Sequence, residues 1–509
     1  MPEKKPSQYL DPRPEALAKI KHIVVLMLEN RSFDNLLGWL YAAVPPPRGQ
    51  HFEGLHEAFW CPLSNIDADG RAFTEKVPVR KNGGSYKLGR KTLHEAVNFC
   101  LPDPDPGEGY RDATYQLYGT YEVDTLYPPE PLAQGYVDNY ASAMLFSAYT
   151  YQDKPADPRQ IMTCYTPEQT PVLSTLARDF AVCDQWYCSV PSQTLPNRDF
   201  VHAASSCGYV NNEPDDLCDL RTVFNQIQDA IAGGRSDLSW RVYNGTQKDR
   251  DSDAWQPFSL TRLTMKQIQG PEFDANFRLM QSFAADAAAG DLPSYSFLEP
   301  QFSGPAQNDQ HPPVDIRPGE QLIAGVYAAV RDSPAWEQTL LVITYDEHGG
   351  CYDHAPPTAT AKAPDPASPA GQYGFRFNRF GVRVPAVVIS PWIEAGTVAR
   401  PAGYVPFDHT SVIRTVQQCL GLQGSLTARD AAAPDLGCLL TLDRPRADKP
   451  AVAPLPCEPA GDPAVNDLHR LVADMLSTRT GQAPPDEAQI HGFIHAAYLL
   501  AFPKSSGAA

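Results

Sequence analysis

The sequence predicts an α/β domain built around a largely parallel sheet. Two observations carry this prediction. Four segments have the residue pattern of strands, and they lie at 20–28, 182–190, 336–344 and 382–389. Segments with the apolar spacing of helices alternate with them, at 170–181, from Arg317 onward and from Asp408 onward. Strands that alternate with helices along a chain are typical of a parallel sheet with helices packed against it.

The residue types justify each element in turn. Residues 20–28 (IKHIVVLML) form a nearly continuous apolar and β-branched run, as in a strand buried on both faces. Residues 336–344 and 382–389 have the same character, whereas residues 182–190 alternate between polar and apolar. Residues 45–131 are rich in Gly, Pro and Asp with little periodicity, which indicates a long insertion lying over the rest of the protein.

Composition excludes several classes of protein. The 509 residues include 42 Lys+Arg and 60 Asp+Glu, a net charge of −18, and 42% are hydrophobic. Such a chain is neither disordered nor fibrous, and its acidity argues against nucleic-acid binding. No apolar run is long enough to span a bilayer, and no signal peptide is recognisable, so we expect a cytoplasmic protein, or one secreted without such a peptide. Eleven cysteines without a CxxC pair predict a mostly reduced chain.

Two of the predicted strands end in pairs of side chains that carry oxygen, Glu29-Asn30 and Asp346-Glu347. Ligands of open α/β sheets bind beyond the carboxyl ends of the strands, so these pairs are expected to converge. Three carboxylates and one amide oxygen would repel one another without a cation, which predicts a divalent metal. The alternative is that each pair only caps the turn or helix after its strand.

Residues 345–357 (YDEHGGCYDHAPP) combine two histidines with carboxylates, and their two glycines allow the backbone to turn closely around a ligand.

The patterns of several other hydrolases are missing from the sequence. There is no GxSxG elbow and no GxxxxGK[ST] loop, and neither His56-Glu57 nor His94-Glu95 is followed by the second histidine of a zincin. Acyl and peptide hydrolysis therefore have no support.

Seven blocks of sequence resemble a known family when taken together. In order, they are HIVVLMLENRSFDNLLGW, DPGEGYRDATYQLYG, SQTLPNR, HPPVDIRPGE, TYDEHGGCYDHAPP, VRVPAVVISPW and FDHTSVIRT. They resemble the motif blocks of the bacterial phospholipase C and acid phosphatase family, also called the phosphoesterase family, of the alkaline phosphatase superfamily. The resemblance implies an alkaline phosphatase-like, three-layer α/β/α sandwich with long loop insertions. It predicts a catalytic domain at 1–430, which includes the insertion at 45–131, and a linker with a helical C-terminal segment at 431–509.

The resemblance also implies a metal site and a nucleophile. Carried over position by position, the metal ligands are Glu29, Asn30, Asp346, Glu347 and the nucleophile itself, Thr194. Ser192 is a competitor for the nucleophile, and the local sequence alone would make Thr194 a turn residue before Pro196. A threonine hydroxyl needs a metal or a base for activation, so one divalent cation is expected. Oxygen ligands suit Ca²⁺, Mg²⁺ or Mn²⁺, whereas the superfamily resemblance points to Zn²⁺.

Three histidines match histidines of the family's motif blocks. His311 is the candidate acid for the leaving group, and His354 and His409 are candidate catalytic residues without a specified role. Asn197 and Arg198 follow the nucleophile and are expected to hold its loop or a phosphate oxygen, although a salt bridge of Arg198 is an equal alternative.

The second block departs from the family at one position. Many members have Asp-Pro-x-His there, and this chain has Asp105-Pro-Gly-Glu108. Glu108 is therefore a candidate catalytic residue whose role is open. A carboxylate beside a phosphate is repelled unless it is protonated or bound to a metal.

The leading hypothesis is a phospholipase C-like hydrolase that cleaves a phosphodiester through a metal-activated threonine. The alternatives are an acid phosphatase-type phosphomonoesterase, an exported effector that attacks phospholipids, and a catalytically inactive relative. The expected partner is a phospholipid or a small phosphate ester, and the sequence makes no prediction of oligomeric state. Substrate choice is expected to lie in the insertion and in aromatic residues at the mouth of the site, such as Tyr110, Tyr115, Tyr118 and Trp186.

Overall fold

An eight-stranded sheet forms the centre of the protein. The computed structural model describes residues 9–66, 69–88, 91–146, 156–213, 219–248, 255–357, 360–364, 370–457 and 463–503. In spatial order the strands of the sheet are Phe277–Leu279, Trp240–Asn244, Tyr295–Leu298, His22–Leu28, Thr339–Tyr345, Ala386–Ile389, Ala181–Val182 and Thr397–Val398. Neighbours are parallel except at Ala386–Ile389, which runs antiparallel to the strands on both sides. The predicted, largely parallel sheet is confirmed.

Helices pack in two groups around this sheet. One group consists of Pro171–Asp179, Met280–Ala289 and Arg317–Asp332, and the other of Thr194–Ala203, Val223–Ala232 and Thr410–Leu420. The apolar residues of the sheet and of both groups belong to one buried core, in which the side chains of Val24, Val25 and Leu341 are inaccessible to solvent. Burial of apolar surface on both faces explains the continuous apolar runs of the central strands. The α/β fold predicted from the sequence is confirmed.

The prediction of one strand at 182–190 is wrong. Ala181–Val182 belongs to the central sheet, whereas Trp186–Tyr187 pairs in parallel with Phe407–Asp408 outside it. Between them, the buried carboxylate of Asp184 forms an ion pair with Arg400 at 2.7 Å and accepts the backbone N–H of Glu53. These partners turn the chain because a buried carboxylate must stay next to its cation and donors.

The segment at 45–131 contains regular structure in addition to loops. It includes the hairpin Trp60–Ile66 with Ala72–Pro78, the hairpin Ser85–Leu88 with Lys91–His94, and the helix Tyr110–Tyr118. The helix Tyr136–Phe146 follows and packs against the first of these hairpins and against Tyr110–Tyr118. Low periodicity in the sequence did not reveal these elements, since the strands of the first hairpin bury few side chains.

The C-terminal helices Asp467–Thr480 and Ile490–Ala501 pack against each other and share an apolar cluster with Leu195, Phe258 and Phe302. This cluster places the first turn of Asp467–Thr480 beside the start of the helix Thr194–Ala203. The remaining short elements are the helices Phe33–Leu37, Leu260–Thr264 and Ala428–Ala432 and the paired strands Tyr9–Leu10 with Arg400–Pro401, Arg80–Lys81 with Thr163–Cys164, and Thr246–Lys248 with Trp255–Pro257.

Nine of the eleven cysteines are thiols, and Cys207 forms a disulfide bond. The expectation of a mostly reduced chain therefore holds for those nine and fails at Cys207.

Within the described ranges, none of the helices has the length and apolarity that crossing a bilayer requires.

Candidate functional site

The two strand-end pairs converge because their strands are neighbours. His22–Leu28 and Thr339–Tyr345 run in parallel with Leu28 opposite Tyr345, so Glu29 and Asp346 leave the sheet side by side. The backbone N–H of Asn30 donates to Asp346 Oδ1 at 3.0 Å. Glu29, Asn30, Asp346 and Glu347 are all inaccessible to solvent. The convergence predicted from the sequence is therefore present at the carboxyl edge of the sheet.

The backbone around these pairs is tightly packed. Asn30 has a φ of 51°, which few residues other than glycine adopt without a local reason. Gly349 has a φ of 60°, and a Cβ atom on it would lie 2.3 Å from the carbonyl oxygen of Asn30. Glycine is therefore required at this position, which explains one of the two glycines after Asp346-Glu347.

Thr194 is the first residue of the helix Thr194–Ala203 and points at the strand ends. Its Oγ1 lies 3.3 Å from Glu29 Oε2 and 3.4 Å from Asn30 Oδ1. Ser192 Oγ instead donates to Asn211 at 3.2 Å. The Asn197 side chain donates to the carbonyl oxygens of Val190, Ser192 and Gln193 and so fixes the loop before Thr194. Of the two candidate hydroxyls, only that of Thr194 contacts the carboxylates.

Arg198 lies one turn after Thr194 and neutralises part of this acidic site. Its guanidinium donates to Glu29 Oε1, with Nε at 3.0 Å, and lies 3.6 Å from Asp346 Oδ2. Arg198 is 1% exposed, so the ion pair is sheltered from water. Arg198 was expected to hold the loop, a phosphate oxygen or a salt bridge, and its contacts support the salt bridge.

The donor set fits a divalent cation. Asp346 Oδ2 and Glu347 Oε1 are buried and have no hydrogen-bond partner, and Asn30 Oδ1 and Glu29 Oε2 face the Thr194 hydroxyl. Burial, with Asp346 nearby, raises the pKa of Glu347 well above its usual range, and burial also raises that of Glu29 against the effect of Arg198. A bound cation would offset both penalties and hold these carboxylates ionised.

Two histidines, His409 and His348, contact the predicted metal ligands Asp346 and Glu347, and both are neutral. His409 Nδ1 accepts from Trp186 Nε1 at 3.4 Å, so its Nε2–H donates to the carbonyl oxygen of Asp346 at 2.5 Å. Burial lowers the pKa of His409 and lowers that of His348 to about 3. His348 Nε2 is 2.7 Å from Gln116 Oε1, and its Nδ1 is 3.1 Å from Glu347 Oε2. The His409 imidazole therefore orients Asp346 through its backbone, and the His348 ring lies against the Glu347 carboxylate.

Glu108 and His311 lie together on the other side of Asn30. Asn30 Nδ2 donates to Glu108 Oε2, and His311 Nδ1 donates to the carbonyl oxygen of Pro312 at 2.7 Å. His311 Nε2 lies 3.1 Å from Oδ1 of Asp467, the first residue of the helix Asp467–Thr480. Asp467 was not predicted as a site residue. An acidic residue in the first turn of a helix is common, so its sequence context carried no functional signal.

A cavity of about 880 Å³ opens next to Glu108 and Gln193, and Thr194 itself is buried and not among its lining residues. Its lining includes Glu108, Tyr110, Gln193, Tyr373, Asp467 and Arg470. The rings of Tyr110 and Tyr373 stack at 5.4 Å. The expectation that Trp186 lines the mouth of the site is wrong, because Trp186 is completely buried against Phe407 in the core. Tyr115 and Tyr118 are not among the lining residues of this cavity.

His354 belongs to a separate network of charges. Its Nδ1 lies 2.6 Å from Asp34 Oδ2, and its Nε2 lies 3.5 Å from Glu53 Oε1. Arg383 joins Asp34 Oδ1 at 3.0 Å to Asp353 Oδ1 at 2.9 Å. Among the described residues, none of the recorded contacts of His354 reaches Thr194, Glu29 or Asp346. The catalytic role predicted for His354 remains untested, and its contacts are those of a structural ion pair.

His354 is expected to stabilise the fold in a pH-dependent way. Burial alone would lower the pKa of His354, but Asp34 and Glu53 outweigh it and raise the pKa to about 9. The unfolded value is about 6.5, so this stabilisation is complete below about pH 6.5 and is lost as pH rises through about 9. Urea unfolding of the parent and of His354→Gln should differ by at most about 3 kcal/mol at pH 6, and the difference should shrink by pH 9.

His94→Gln is the matched control for this measurement. His94 is exposed and contacts Ser85, so its replacement should change the free energy of unfolding by less than about 0.5 kcal/mol at either pH. A His354→Gln difference that stays constant from pH 6 to pH 9 would contradict a charged His354.

Comparisons with known proteins agree with this geometry. A model of the Phosphoesterase family matches residues 20–423. Non-specific phospholipase C3 of Arabidopsis thaliana is 35% identical over 86% of this chain and 76% of its own length. Phospholipase C B of Mycobacterium tuberculosis is 26% identical over 87% of this chain and 83% of its own length.

The solved structures that are similar to this chain align with it only with low TM-scores. The phosphonate monoester hydrolase of Silicibacter pomeroyi has a TM-score of 0.31 and 12% identity, and the similarity covers 55% of this chain and 73% of that one. A protein of the alkaline phosphatase superfamily from Vibrio parahaemolyticus has a TM-score of 0.29 and 12% identity over 53% of this chain and 65% of that one. The family model and the relatives, which together span most of the sequence, settle the assignment. The chain belongs to the phosphoesterase family of phosphoric ester hydrolases.

Proposed function

We propose that this protein is a phospholipase C-like enzyme that cleaves the phosphodiester of a phospholipid with Thr194 as the nucleophile. The observation that carries the proposal is the position of the Thr194 hydroxyl, 3.3 Å from Glu29 Oε2 and 3.4 Å from Asn30 Oδ1. The relatives named phospholipase C support a diester substrate. The cavity lined by Glu108 and Gln193 has room for a headgroup and for part of the diacylglycerol.

The residues around Thr194 have distinct roles in the proposed reaction. The hydrogen bond to Glu29 orients the Thr194 hydroxyl, and the loop held by Asn197 fixes its backbone. Thr194 stands at the N-terminus of its helix, where the helix dipole favours the negative charge of a phosphate. A divalent cation bound by Glu29, Asn30, Asp346 and Glu347 would lower the pKa of the hydroxyl and offset the charge of the phosphate.

The proposed chemistry has two steps. In the first, the Thr194 hydroxyl loses its proton and Oγ1 forms a bond to phosphorus, the bond to the diacylglycerol oxygen breaks, and that oxygen takes up one proton, so that the step has no net change in protons. In the second, water cleaves the phosphothreonine ester and releases the phosphorylated headgroup. For His311 to donate the proton, its Nε2 would have to leave Asp467, since its Nδ1 donates to Pro312.

The proposal is tested by comparing three substrates. Phosphatidylcholine vesicles should release diacylglycerol, and p-nitrophenyl phosphorylcholine should be cleaved with a kcat/KM at least about tenfold above that of p-nitrophenyl phosphate. Exclusive cleavage of p-nitrophenyl phosphate would instead favour the acid phosphatase alternative. No cleavage of any of the three under metal-replete conditions would contradict the proposed activity for this headgroup.

A further inference from the structure

A second group of potential metal ligands lies next to the strand-end site. It consists of Asp105, Glu108 and His311, whose ligand atoms lie within 4.8 Å of one another, together with Asp467. Asp105, Glu108 and His311 are buried, and they come from the two blocks of sequence that precede the helices Tyr110–Tyr118 and Arg317–Asp332. None of the four is a ligand in the site of Glu29, Asn30, Asp346 and Glu347.

Two buried atoms of this group point to a missing ligand. Glu108 Oε1 and His311 Nε2 have no hydrogen-bond partner, although Glu108 is 4% exposed and His311 is inaccessible to solvent. His311 Nδ1 donates to Pro312, so Nε2, which faces Asp467 Oδ1 at 3.1 Å, carries either the lone pair of a neutral imidazole or the second proton of an imidazolium. A lone pair and a carboxylate oxygen at this distance repel each other unless a proton or a cation lies between them.

A protonated His311, which lies 3.7 Å from Asp105 and 3.1 Å from Asp467, would balance only one of the three carboxylates of the group. In the described part of the chain, neither Glu108 nor Asp467 forms an ion pair with a lysine or an arginine. Arg198 is engaged with Glu29 and Asp346, and Arg470 forms an ion pair with Glu487 at 2.8 Å. A buried carboxylate without a cation is costly, and Glu108 is 4% exposed.

We propose that Asp105, Glu108, His311 and Asp467 bind a second divalent cation, separated from the strand-end site by the side chain of Asn30. One imidazole nitrogen and three carboxylates suit a first-row transition metal such as Zn²⁺ or Mn²⁺ better than Ca²⁺ or Mg²⁺. The side chain of Asp467 is 35% exposed and the cavity reaches it, which provides a path for the ion. Asn30 links the two sites, since its Nδ2 donates to Glu108 while its Oδ1 faces Thr194.

This assignment accounts for the departure of the second sequence block from its family pattern. A carboxylate at Glu108 would repel a phosphate at Thr194, and a cation on the group removes that repulsion. It also replaces the acid role predicted for His311, because Nε2 cannot both bind a metal and donate a proton. The C-terminal helix becomes part of the site through Asp467.

Metal content tests the proposal independently of activity. The protein is stripped with a chelator, reloaded with Zn²⁺ or Mn²⁺, dialysed and measured by inductively coupled plasma mass spectrometry. We expect about two equivalents in the parent and one fewer in both Glu108→Gln and Asp467→Asn. Titration calorimetry of the stripped protein should show that these two variants weaken one binding event at least about tenfold and leave the other unchanged.

Two further variants make the result specific. Asp474→Asn lies on the same helix and in the same cavity but outside the group, and should retain two equivalents. Asp346→Asn should lose the other equivalent, whether or not the proposed activity is correct. The proposal is overturned if Glu108→Gln and Asp467→Asn, folded as judged by circular dichroism, bind as much metal as the parent. That outcome would show that a shared proton holds the group together.

Discussion

Replacement of Thr194 by valine is expected to lower kcat by about 10⁴ to 10⁶-fold on any substrate of the enzyme. Valine keeps the branched shape of threonine in a position that is inaccessible to solvent, so the helix Thr194–Ala203 should form as before. The change removes the hydroxyl that lies between Glu29 and Asn30. Steady-state kinetics with p-nitrophenyl phosphorylcholine measure the loss, and thermal unfolding of both proteins checks the fold.

Ser192→Ala and Thr194→Ser are the controls for this variant. Ser192 donates to Asn211 and not to the strand-end carboxylates, so its removal should leave kcat within about tenfold of the parent. Thr194→Ser restores a hydroxyl and should recover most of the activity that valine removes. Full activity in Thr194→Val would refute the assigned nucleophile, and a large loss confined to Ser192→Ala would transfer that role to Ser192.

Part of the site could be predicted from the sequence because local pattern and topology both point to it. Two apolar runs of the same kind end in Glu29-Asn30 and Asp346-Glu347, and parallel pairing places such ends together. The resemblance to the phosphoesterase family selected Thr194, which the local sequence alone would have made a turn residue. The structure adds the reason why Gly349 is required, namely its contact with Asn30.

Other features depend on partners that are distant in sequence. Asp467 reaches His311 only because an apolar cluster packs its helix against Leu195, and no local pattern encodes that contact. Trp186 was expected at the mouth because aromatic residues are common there, yet it is buried beside Phe407. Polar and apolar residues alternate in residues 182–190, which is typical of a strand. The chain bends there instead, because the buried carboxylate of Asp184 forms an ion pair with Arg400.

Replacement of Arg383 by methionine is expected to destabilise the protein by about 3–5 kcal/mol. The Arg383 guanidinium is inaccessible to solvent, and it donates to Asp353 at 2.9 Å, to Asp34 at 3.0 Å and to the carbonyl oxygens of Glu53 and Asp184. Methionine fills much of the same volume, so the loss comes mainly from two buried carboxylates that lose their guanidinium partner and two carbonyl groups that lose this donor. Urea unfolding at pH 7 measures the difference in free energy.

Arg383→Met should destabilise the protein less at low pH than at pH 7. Burial, opposed by Arg383, already raises the pKa of Asp353 to about 6, whereas His354 and Arg383 outweigh burial and lower the pKa of Asp34. Removal of the guanidinium raises the pKa of both carboxyl groups above these values. The carboxyl groups of Arg383→Met therefore take up protons at a higher pH than those of the parent. The variant recovers stability relative to the parent as pH falls from above 6 toward about 6, where Asp353 takes up its proton, and further at lower pH through Asp34. Arg376→Met, at an exposed position, should change the free energy of unfolding by less than about 0.5 kcal/mol at every pH. The loss of unfolding free energy in Arg383→Met could prove as small as that in Arg376→Met, or could fail to decrease between pH 7 and pH 5. Either result would mean that Asp34 and Asp353 do not need this cation.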